Sequence, residues 1–281
     1  MKEITISTII DAVEKLCIDA NYFIGKDVTD CMKANLEKEE SPVGKEILSQ
    51  ILENNSLAAE KQIPMCQDTG IAVVFLEVGQ EVHIVGGSLQ EAIHEGVRRG
   101  YEKGYLRKSM VYDPIVERKN TQDNTPAIIY TDIVPGDTMK ITVAPKGAGS
   151  ENMSELRMMT PSDGLEGVIQ FVVDKVKRAS GNPCPPVVVG VGLGGNFEQS
   201  ALLAKKALLR PIGSRHTEQK FADLERTLLE KINNLGIGPM GLGGRITALD
   251  VHIETMACHI ASMPVAINIQ CHASRHKTVI L

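Results

Sequence analysis

Two of the six cysteines lie in proline-flanked turns, where a thiolate could reach a metal centre. Cys66 follows Ile63-Pro-Met, and Cys184 lies within Asn182-Pro-Cys-Pro-Pro. Cys271 comes directly after a strand-like stretch. Soft thiolates select zinc or iron–sulfur clusters, so these three cysteines are candidate ligands. The alternative is that each is a small apolar side chain of the core, and spacing alone does not decide between the two.

The last 30 residues hold a second set of possible metal ligands. Cysteine and histidine are the side chains that zinc prefers, so a zinc-stabilised binding module is a rival interpretation. The spacing matches no zinc-finger pattern, and an exposed polar tail is the alternative. The side chains are His252, Cys258, His259, Cys271, His272 and His276.

Asp68, two residues after Cys66, is a candidate for proton transfer together with His259. A lone aspartate in a turn more often caps the local backbone, so this pairing needs support from elsewhere.

A glycine-rich stretch offers a third chemistry. Gly190-x-Gly192-x-x-Gly195 follows a predicted strand and precedes a predicted helix, which is the spacing of a dinucleotide-binding loop. A nicotinamide-dependent oxidoreductase is therefore an alternative. That fold also needs a second strand ending in an acidic residue about 20 positions on, whereas Arg210-Pro-Ile-Gly213 follows the helix here. A structural turn or a site for a smaller anion fits equally well.

The elements that must position these residues predict an α/β fold, a mixed β-sheet body with a helical N-terminal layer. We expect one domain over residues 1–281, with possible lobes at 1–62 and 63–281. Helices are predicted within 4–61, from Ser88 to about 101, and over 164–179, 199–209 and 217–235. Strands are predicted over 71–78, from 185 into the glycine-rich loop, and over 246–253 and 265–269. Residues 127–134 and 138–144 are predicted to form a β-hairpin.

Composition excludes several classes of protein. The 281 residues carry a formal charge of −5 and are 43% hydrophobic, which is ordinary for a globular chain. No run of basic residues favours nucleic acid as a ligand. No apolar stretch approaches the ~20 residues of a membrane span, and the first residues lack the order of a signal peptide. We therefore expect a cytoplasmic protein with no membrane or nucleic-acid partner.

Five separated motifs, taken in order, resemble the iron–sulfur (class I) fumarate hydratases. The likeness extends over nearly the whole chain. It fits best the alpha subunit of the two-subunit type, with the alpha subunit of L-tartrate dehydratase as a close relative. The motifs are Pro64-Met-Cys-Gln-Asp-Thr-Gly70, Lys146-Gly-Ala-Gly-Ser-Glu-Asn152, Asn182-Pro-Cys-Pro-Pro186, the stretch from Gly190 to Gly213, and Ile267-Asn-Ile-Gln-Cys271.

The resemblance implies a 4Fe-4S cluster held by Cys66, Cys184 and Cys271. Three thiolates on four irons leave one iron open as a Lewis acid, so hydration is the natural reaction. The implied reaction is reversible hydration of fumarate to L-malate, a step of the tricarboxylic acid cycle, with L-tartrate or mesaconate as alternative substrates. Asp68 and His259 are implied to handle protons.

The remaining implied residues bind substrate. Gln67 and Arg107 would hold a carboxylate, and backbone amides around Gly147, Gly149 and Ser150 would form an anion nest. Single-chain members of the family continue into a second domain, whereas this sequence stops ten residues after Cys271. We therefore predict a separate beta subunit, an α2β2 assembly, and an isolated chain that is nearly inactive.

Overall fold

The structure, a computed structural model, describes residues 2–281 and confirms the predicted α/β fold with mixed sheets. The helices are α1 Ile6–Tyr22, α2 Lys26–Lys38, α3 Pro42–Lys61, α4 Leu89–Lys103, α5 Ala148–Glu151, α6 Gly164–Ala179, α7 Phe197–Ala207 and α8 Gln219–Asn233. The strands are β1 Lys2–Thr5, β2 Ile71–Gly79, β3 Val82–Val85, β4 Ile128–Val134, β5 Met139–Lys146, β6 Glu155–Met159, β7 Val187–Gly194, β8 Ala248–Met256, β9 Met263–Gln270 and β10 Lys277–Ile280.

Contacts divide the chain into two compact units, each built from separated stretches of sequence. Unit 1 contains residues 2–24, 54–148 and 275–281, and unit 2 contains residues 25–53 and 149–274. The predicted N-terminal helices form, with α1 in unit 1 and α2 in unit 2. The single domain with its two lobes stays a prediction, because compact contacts do not test independent folding.

Unit 1 is built around a four-stranded sheet with the order β10-β5-β2-β4. Helices α1 and α4 bury their apolar faces in the same core as the sheet, through residues such as Ile9, Val13 and Ile93. Ser88 caps α4 as the sequence predicts, since its Oγ accepts a 3.4 Å hydrogen bond from the backbone N–H of Glu91.

The predicted hairpin of residues 127–134 and 138–144 is wrong. β2 lies between β4 and β5, parallel to the first and antiparallel to the second. The reason is burial. β2 is apolar and mostly buried, so it takes a central position, while β4 exposes much of its length and suits the edge of the sheet.

Unit 2 is built around a second sheet with the order β6-β9-β7-β8. β7 is parallel to β8 and antiparallel to β9. Val189 and Val191 of β7 share a core with α6 and α8. The alternating glycines of β7 face the other side of the sheet, where α7 packs.

The glycines of β7 allow this close helix packing. A Cβ on Gly190 would lie 2.1 Å from the carbonyl oxygen of Ala204, and one on Gly192 would lie 2.0 Å from that of Ser200. Both residues belong to the strand, and the oxygens belong to α7. These two glycines therefore serve strand–helix contact, which accounts for the spacing without a nucleotide.

None of the helices in residues 2–281 combines the length and the apolar character needed to cross a bilayer.

Candidate metal and substrate site

Unit 1 holds Asp68 in a fixed direction. Its Oδ1 accepts a 3.1 Å hydrogen bond from the backbone N–H of Gly70, and its Oδ2 accepts one of 2.9 Å from that of Ala148. A carboxylate with a backbone donor on each oxygen cannot rotate freely, so its remaining lone pairs face a defined direction. Residues 66–70, which carry Asp68, are called the Asp68 loop below.

Buried donors support the Asp68 loop from its backbone side. The hydroxyl of Tyr101 lies 2.9 Å from the carbonyl oxygen of Thr69 and 3.0 Å from that of Gly70, and Asn124 Nδ2 donates to Gly70 at 3.1 Å. Burial raises the pKa of Tyr101 well above its ordinary value, so the phenol stays protonated and remains a donor. The loop is therefore anchored through its carbonyls.

Two glycines bring the backbone of residues 146–147 close to this loop. Gly70 has φ +75°, and a Cβ there would lie 2.6 Å from the carbonyl carbon of Lys146. A Cβ on Gly147 would lie 3.1 Å from Asp68 Oδ2. Only glycine fits at Gly70, where both the left-handed conformation and the close approach exclude a side chain.

The other unit 1 candidates lie on the same loop or are bonded to it. Thr69 Oγ1 donates to the carbonyl oxygen of Arg107 at 3.0 Å, which places that backbone beside the loop. The thiol of Cys66 donates to Gln67 Oε1 at 3.4 Å. The side chains of Gln67 and Arg107 are exposed, and Cys66 is half-buried. Unit 1 thus gathers the predicted residues Cys66, Gln67, Asp68, Arg107 and Gly147.

Unit 2 brings Cys184 and Cys271 together. β7 begins just after Cys184 and β9 ends just before Cys271, and antiparallel pairing aligns the start of one strand with the end of the other. The backbone N–H of His272 donates to the carbonyl oxygen of Cys184 at 3.2 Å. Cys184 has φ +55°, a conformation uncommon for a residue with a side chain and concentrated at functional sites.

Gly149 and Ser150 lie in the turn of α5, beside the Cys184 turn. A Cβ on Gly149 would lie 3.7 Å from the carbonyl oxygen of Asn182, and Ser150 is buried. Glu151, the next residue, accepts a 2.5 Å hydrogen bond from Lys205 and one of 3.1 Å from Asn268 Nδ2. The ion pair with Lys205 connects the glycine turn to α7, and the hydrogen bond from Asn268 connects it to β9, the strand that leads to Cys271.

Burial raises the pKa of two other thiols. It raises the pKa of Cys17 to about 12 and, as the largest cause, that of Cys31 to about 11. A raised pKa disfavours the thiolate, which is the form that binds a metal, so these two thiols are less suited as ligands. Cys17 is buried, Cys31 is partly exposed like Cys66, Cys184 and Cys271, and Cys258 is exposed.

His259 is not brought to Cys184 and Cys271. It lies in the exposed turn between β8 and β9, beyond the end of β7, whereas both cysteines lie at the start of β7. The eight residues of β7 span roughly 25 Å at about 3.3 Å per residue. His259 Nδ1 accepts a 3.1 Å hydrogen bond from the backbone N–H of Ala261, which leaves Nε2 to carry the proton of the neutral ring. Its pairing with Asp68 stays a prediction.

The same strand geometry weakens the zinc interpretation. His252 is buried within β8 and bonded to Asp250 at 3.1 Å, while Cys258 and Cys271 follow opposite ends of the β7–β9 pair. Over residues 2–281, no three His, Cys, Asp or Glu side chains are grouped as ligands of one metal ion.

Two buried carboxylates fix the motif Arg210-Pro-Ile-Gly213. Glu225 is fully buried and pairs with Arg210 at 2.7 Å, and Asp250 accepts from the backbone N–H of Gly213 at 2.7 Å. Burial works to raise the pKa of Asp250, but hydrogen bonds from His252 and Gly213 and the charge of Arg215 bring it below its ordinary value. This motif is therefore a structural segment of unit 2 that the two buried carboxylates hold in place.

Comparison with known proteins identifies the family. A sequence model of the fumarate hydratase (Fumerase) family matches residues 10–280. The chain belongs to this family. The Fumerase-family relationship confirms the resemblance drawn from the five motifs, and it accounts for the motifs being spread over the whole chain.

Relatives of this Fumerase-family chain are named as tartrate enzymes. It is 47% identical over 269 residues to the putative L(+)-tartrate dehydratase subunit alpha of Methanocaldococcus jannaschii, and the alignment covers 94% of each chain. It is 39% identical over 258 residues to the L(+)-tartrate dehydratase subunit alpha of Escherichia coli O157:H7, covering 91% of this chain and 84% of that one. Fumarate hydratase and tartrate dehydratase are both hydro-lyases.

Sequence reasoning missed the residues that hold the site. Tyr101, Asn124 and Lys205 lie far along the chain from what they support, so no local pattern marks them. Glu151 directly follows the Gly149-Ser150 turn, and a charged residue inside a glycine-rich motif was the one available signal.

Proposed function

We propose that this Fumerase-family chain is the alpha subunit of an iron–sulfur hydro-lyase that reversibly hydrates fumarate to L-malate. The observation that carries the proposal is the approach of the Cys184 and Cys271 turns, joined by the 3.2 Å hydrogen bond from His272 N to Cys184 O. Two partly exposed thiols in adjoining turns at one sheet end suit a multi-iron cluster.

Cys66 is the proposed third ligand of a 4Fe-4S cluster. Cys66 lies in a turn, is half-buried, and directly precedes the residues proposed to bind substrate. Held by three thiolates, such a cluster supplies Lewis-acid chemistry, because one iron lacks a protein ligand and can polarise a carbon–oxygen bond. Cys17 and Cys31 are less suited to bind iron, because burial, the largest cause for each, raises the pKa of their thiols and disfavours the thiolate.

The residues of the chain bind and orient the substrate and move the proton. The exposed Arg107 guanidinium is suited to a carboxylate through its planar fork, with Gln67 beside it. Amides around Gly147, Gly149 and Ser150 are the proposed anion nest, although the Ala148 N–H is bonded to Asp68.

Asp68, with both oxygens oriented by backbone donors, is the proposed proton-transfer group of unit 1. His259 is its proposed partner.

Dehydration of L(+)-tartrate is the second candidate function. The observation that favours it is the name of the relatives, which are 47% and 39% identical to this chain. Tartrate and malate are both four-carbon hydroxydicarboxylates and differ by one hydroxyl, so the same cysteines, Asp68 and Arg107 serve either reaction.

A beta subunit is proposed to complete the site, in an α2β2 assembly in the cytoplasm. The word "alpha" in the relatives' names supports such a partner.

The test is a substrate comparison on the assembled enzyme. The chain is purified without oxygen, reconstituted with iron and sulfide, mixed with the beta subunit, and assayed with fumarate, L(+)-tartrate and mesaconate. The proposal expects iron and sulfide uptake and fumarate as the best substrate by kcat/KM. A higher kcat/KM for tartrate selects the second candidate, and no turnover of any of the three with a full cluster overturns both.

A further inference from the structure

Arg275 is a buried guanidinium that leaves two of its three nitrogen atoms without a hydrogen-bond acceptor among residues 2–281. The residue is 4% exposed, and its Nη2 donates to the carbonyl oxygen of Asp68 at 2.5 Å. Its Nε and Nη1 are buried and find no acceptor among residues 2–281. Arg275 belongs to unit 1, as does the Asp68 loop.

Two partly buried arginines of the chain are, by contrast, neutralised by buried carboxylates. Arg210 pairs with the fully buried Glu225 at 2.7 Å, and Arg215 pairs with the buried Asp250 at 2.7 Å. Burying a charge without a partner costs free energy, because water is lost and nothing replaces it. Groups left in this state concentrate where a ligand supplies the missing partner.

The position of Arg275 identifies that ligand as an anion of the site. Its bonded oxygen belongs to Asp68, two residues after Cys66 and directly after Gln67. We propose that Arg275 is a further anion-binding residue of this site. Its Nε and Nη1 donate hydrogen bonds to the negatively charged ligand that binds at the Asp68 loop. This inference rests on the proposed function only for the identity of the anion.

Two sources have the required chemistry. Three thiolates and the sulfides of a cluster bring net negative charge, and a dicarboxylate substrate brings carboxylate oxygens. A guanidinium beside the cluster raises the reduction potential of the cluster, because its positive charge stabilises the added electron. A guanidinium beside the dicarboxylate substrate strengthens the binding of that substrate.

The experiment compares Arg275→Met, which removes the charge, with Arg275→Lys, which keeps it. Arg98→Met is the matched control, since Arg98 lies in the same unit and is already paired with Glu95 and Asp123. Three quantities are measured on the full chain. They are the melting temperature without metal, the affinity for succinate as an unreactive dicarboxylate, and the midpoint potential of the cluster after anaerobic reconstitution.

We expect metal-free Arg275→Met to melt no lower than the wild type, whereas Arg98→Met melts lower. We also expect either a lower midpoint potential, which identifies the cluster as the anion, or succinate affinity weaker by about tenfold, which identifies the substrate. Arg275→Lys should retain most of the affected quantity, which a purely structural role would not predict.

An unchanged potential together with unchanged or absent succinate binding overturns the proposal. If the wild-type chain takes up no iron and sulfide, the proposed function fails on its own. The succinate titration of the metal-free chain then still decides the role of Arg275.

Discussion

Asp68 Oδ2 accepts a hydrogen bond of 2.9 Å from the backbone N–H of Ala148, although the two residues are 80 positions apart. One N–H of the glycine-rich turn that is predicted to bind an anion, that of Ala148, is therefore already bonded to the carboxylate of Asp68. Oδ1 is held equally by Gly70. The carboxylate is oriented before any substrate arrives, which is the preorganisation that proton transfer requires.

Replacing Asp68 by Asn should remove activity while leaving the fold intact. An amide cannot take up the proton, and its NH2 group cannot accept from the backbone donor that Asp68 satisfies. We expect kcat to fall by about 10²–10⁴-fold, measured with saturating fumarate on the reconstituted complex. Asp113→Asn is the control, because Asp113 also accepts from backbone donors, at Ile115 and Val116, but in an exposed loop. Activity within a few-fold of wild type would eliminate Asp68 as the proton-transfer group.

Replacing Cys184 by Ser should abolish the cluster. Serine keeps the size of the side chain but loses the soft thiolate, and Cys184 lies in the turn bonded to His272. We expect iron and acid-labile sulfide to drop to background, with loss of the EPR signal of the reduced chain. Cys258→Ser, at an exposed thiol outside the proposed set, should bind iron like the wild type. Full iron content in Cys184→Ser would contradict this assignment.

Replacing Gly190 by Ala should destabilise unit 2 through packing. The new Cβ would meet the Ala204 carbonyl oxygen at 2.1 Å, so β7 and α7 must move apart. Overpacking of this kind costs about 1–3 kcal/mol or more in free energy of unfolding, measured by urea denaturation. Gly167→Ala on α6, where the nearest atoms are 3.0 and 3.2 Å away, should change stability by less than about 1 kcal/mol.

Calorimetry with NAD gives a second test of the same glycines. We expect no binding at millimolar NAD, since Gly190 and Gly192 are occupied by helix contact. Saturable binding that Gly190→Ala removes would restore the nucleotide interpretation.

The free energy of unfolding should fall in alkali because of Cys17. Burial raises the pKa of Cys17 from 9.0 to about 12, so the folded chain keeps a proton that the unfolded chain releases. The contribution is fully present below pH 9 and is lost as pH rises toward 12, with a slope of up to about 1.4 kcal/mol per pH unit.

Cys17→Ala tests this slope by urea denaturation between about pH 8 and 10.5. This range begins below the unfolded pKa of 9.0 and ends below the folded pKa of about 12. The stability difference between wild type and variant should shrink as pH rises. Cys258→Ala, which removes an exposed thiol, should follow the wild type. A difference that stays constant with pH would show that Cys17 does not release its proton on unfolding.

The helices and the long buried strands could be predicted from local sequence patterns. α1 and α4 carry apolar residues at helical spacing and begin at capping residues, and β2 is a nearly continuous apolar run. These signals depend on residues that are close together in the chain, so they can be recognised from the sequence. The shortest strands, β1, β3 and β10, have no such signal, because each consists of four residues that pair with distant segments.

The candidate residues were likewise marked by local signals, prolines beside Cys66 and Cys184 and glycines before Ser150, and by their resemblance to a family. The contacts that hold these residues in place could not be predicted in this way. The approach of the Cys184 and Cys271 turns and the burial of Arg275 at the Asp68 loop depend on contacts between distant parts of the chain. Such contacts depend on which strands pair and which side chains are buried. Neither the strand pairing nor the burial can be predicted from the spacing of neighbouring residues.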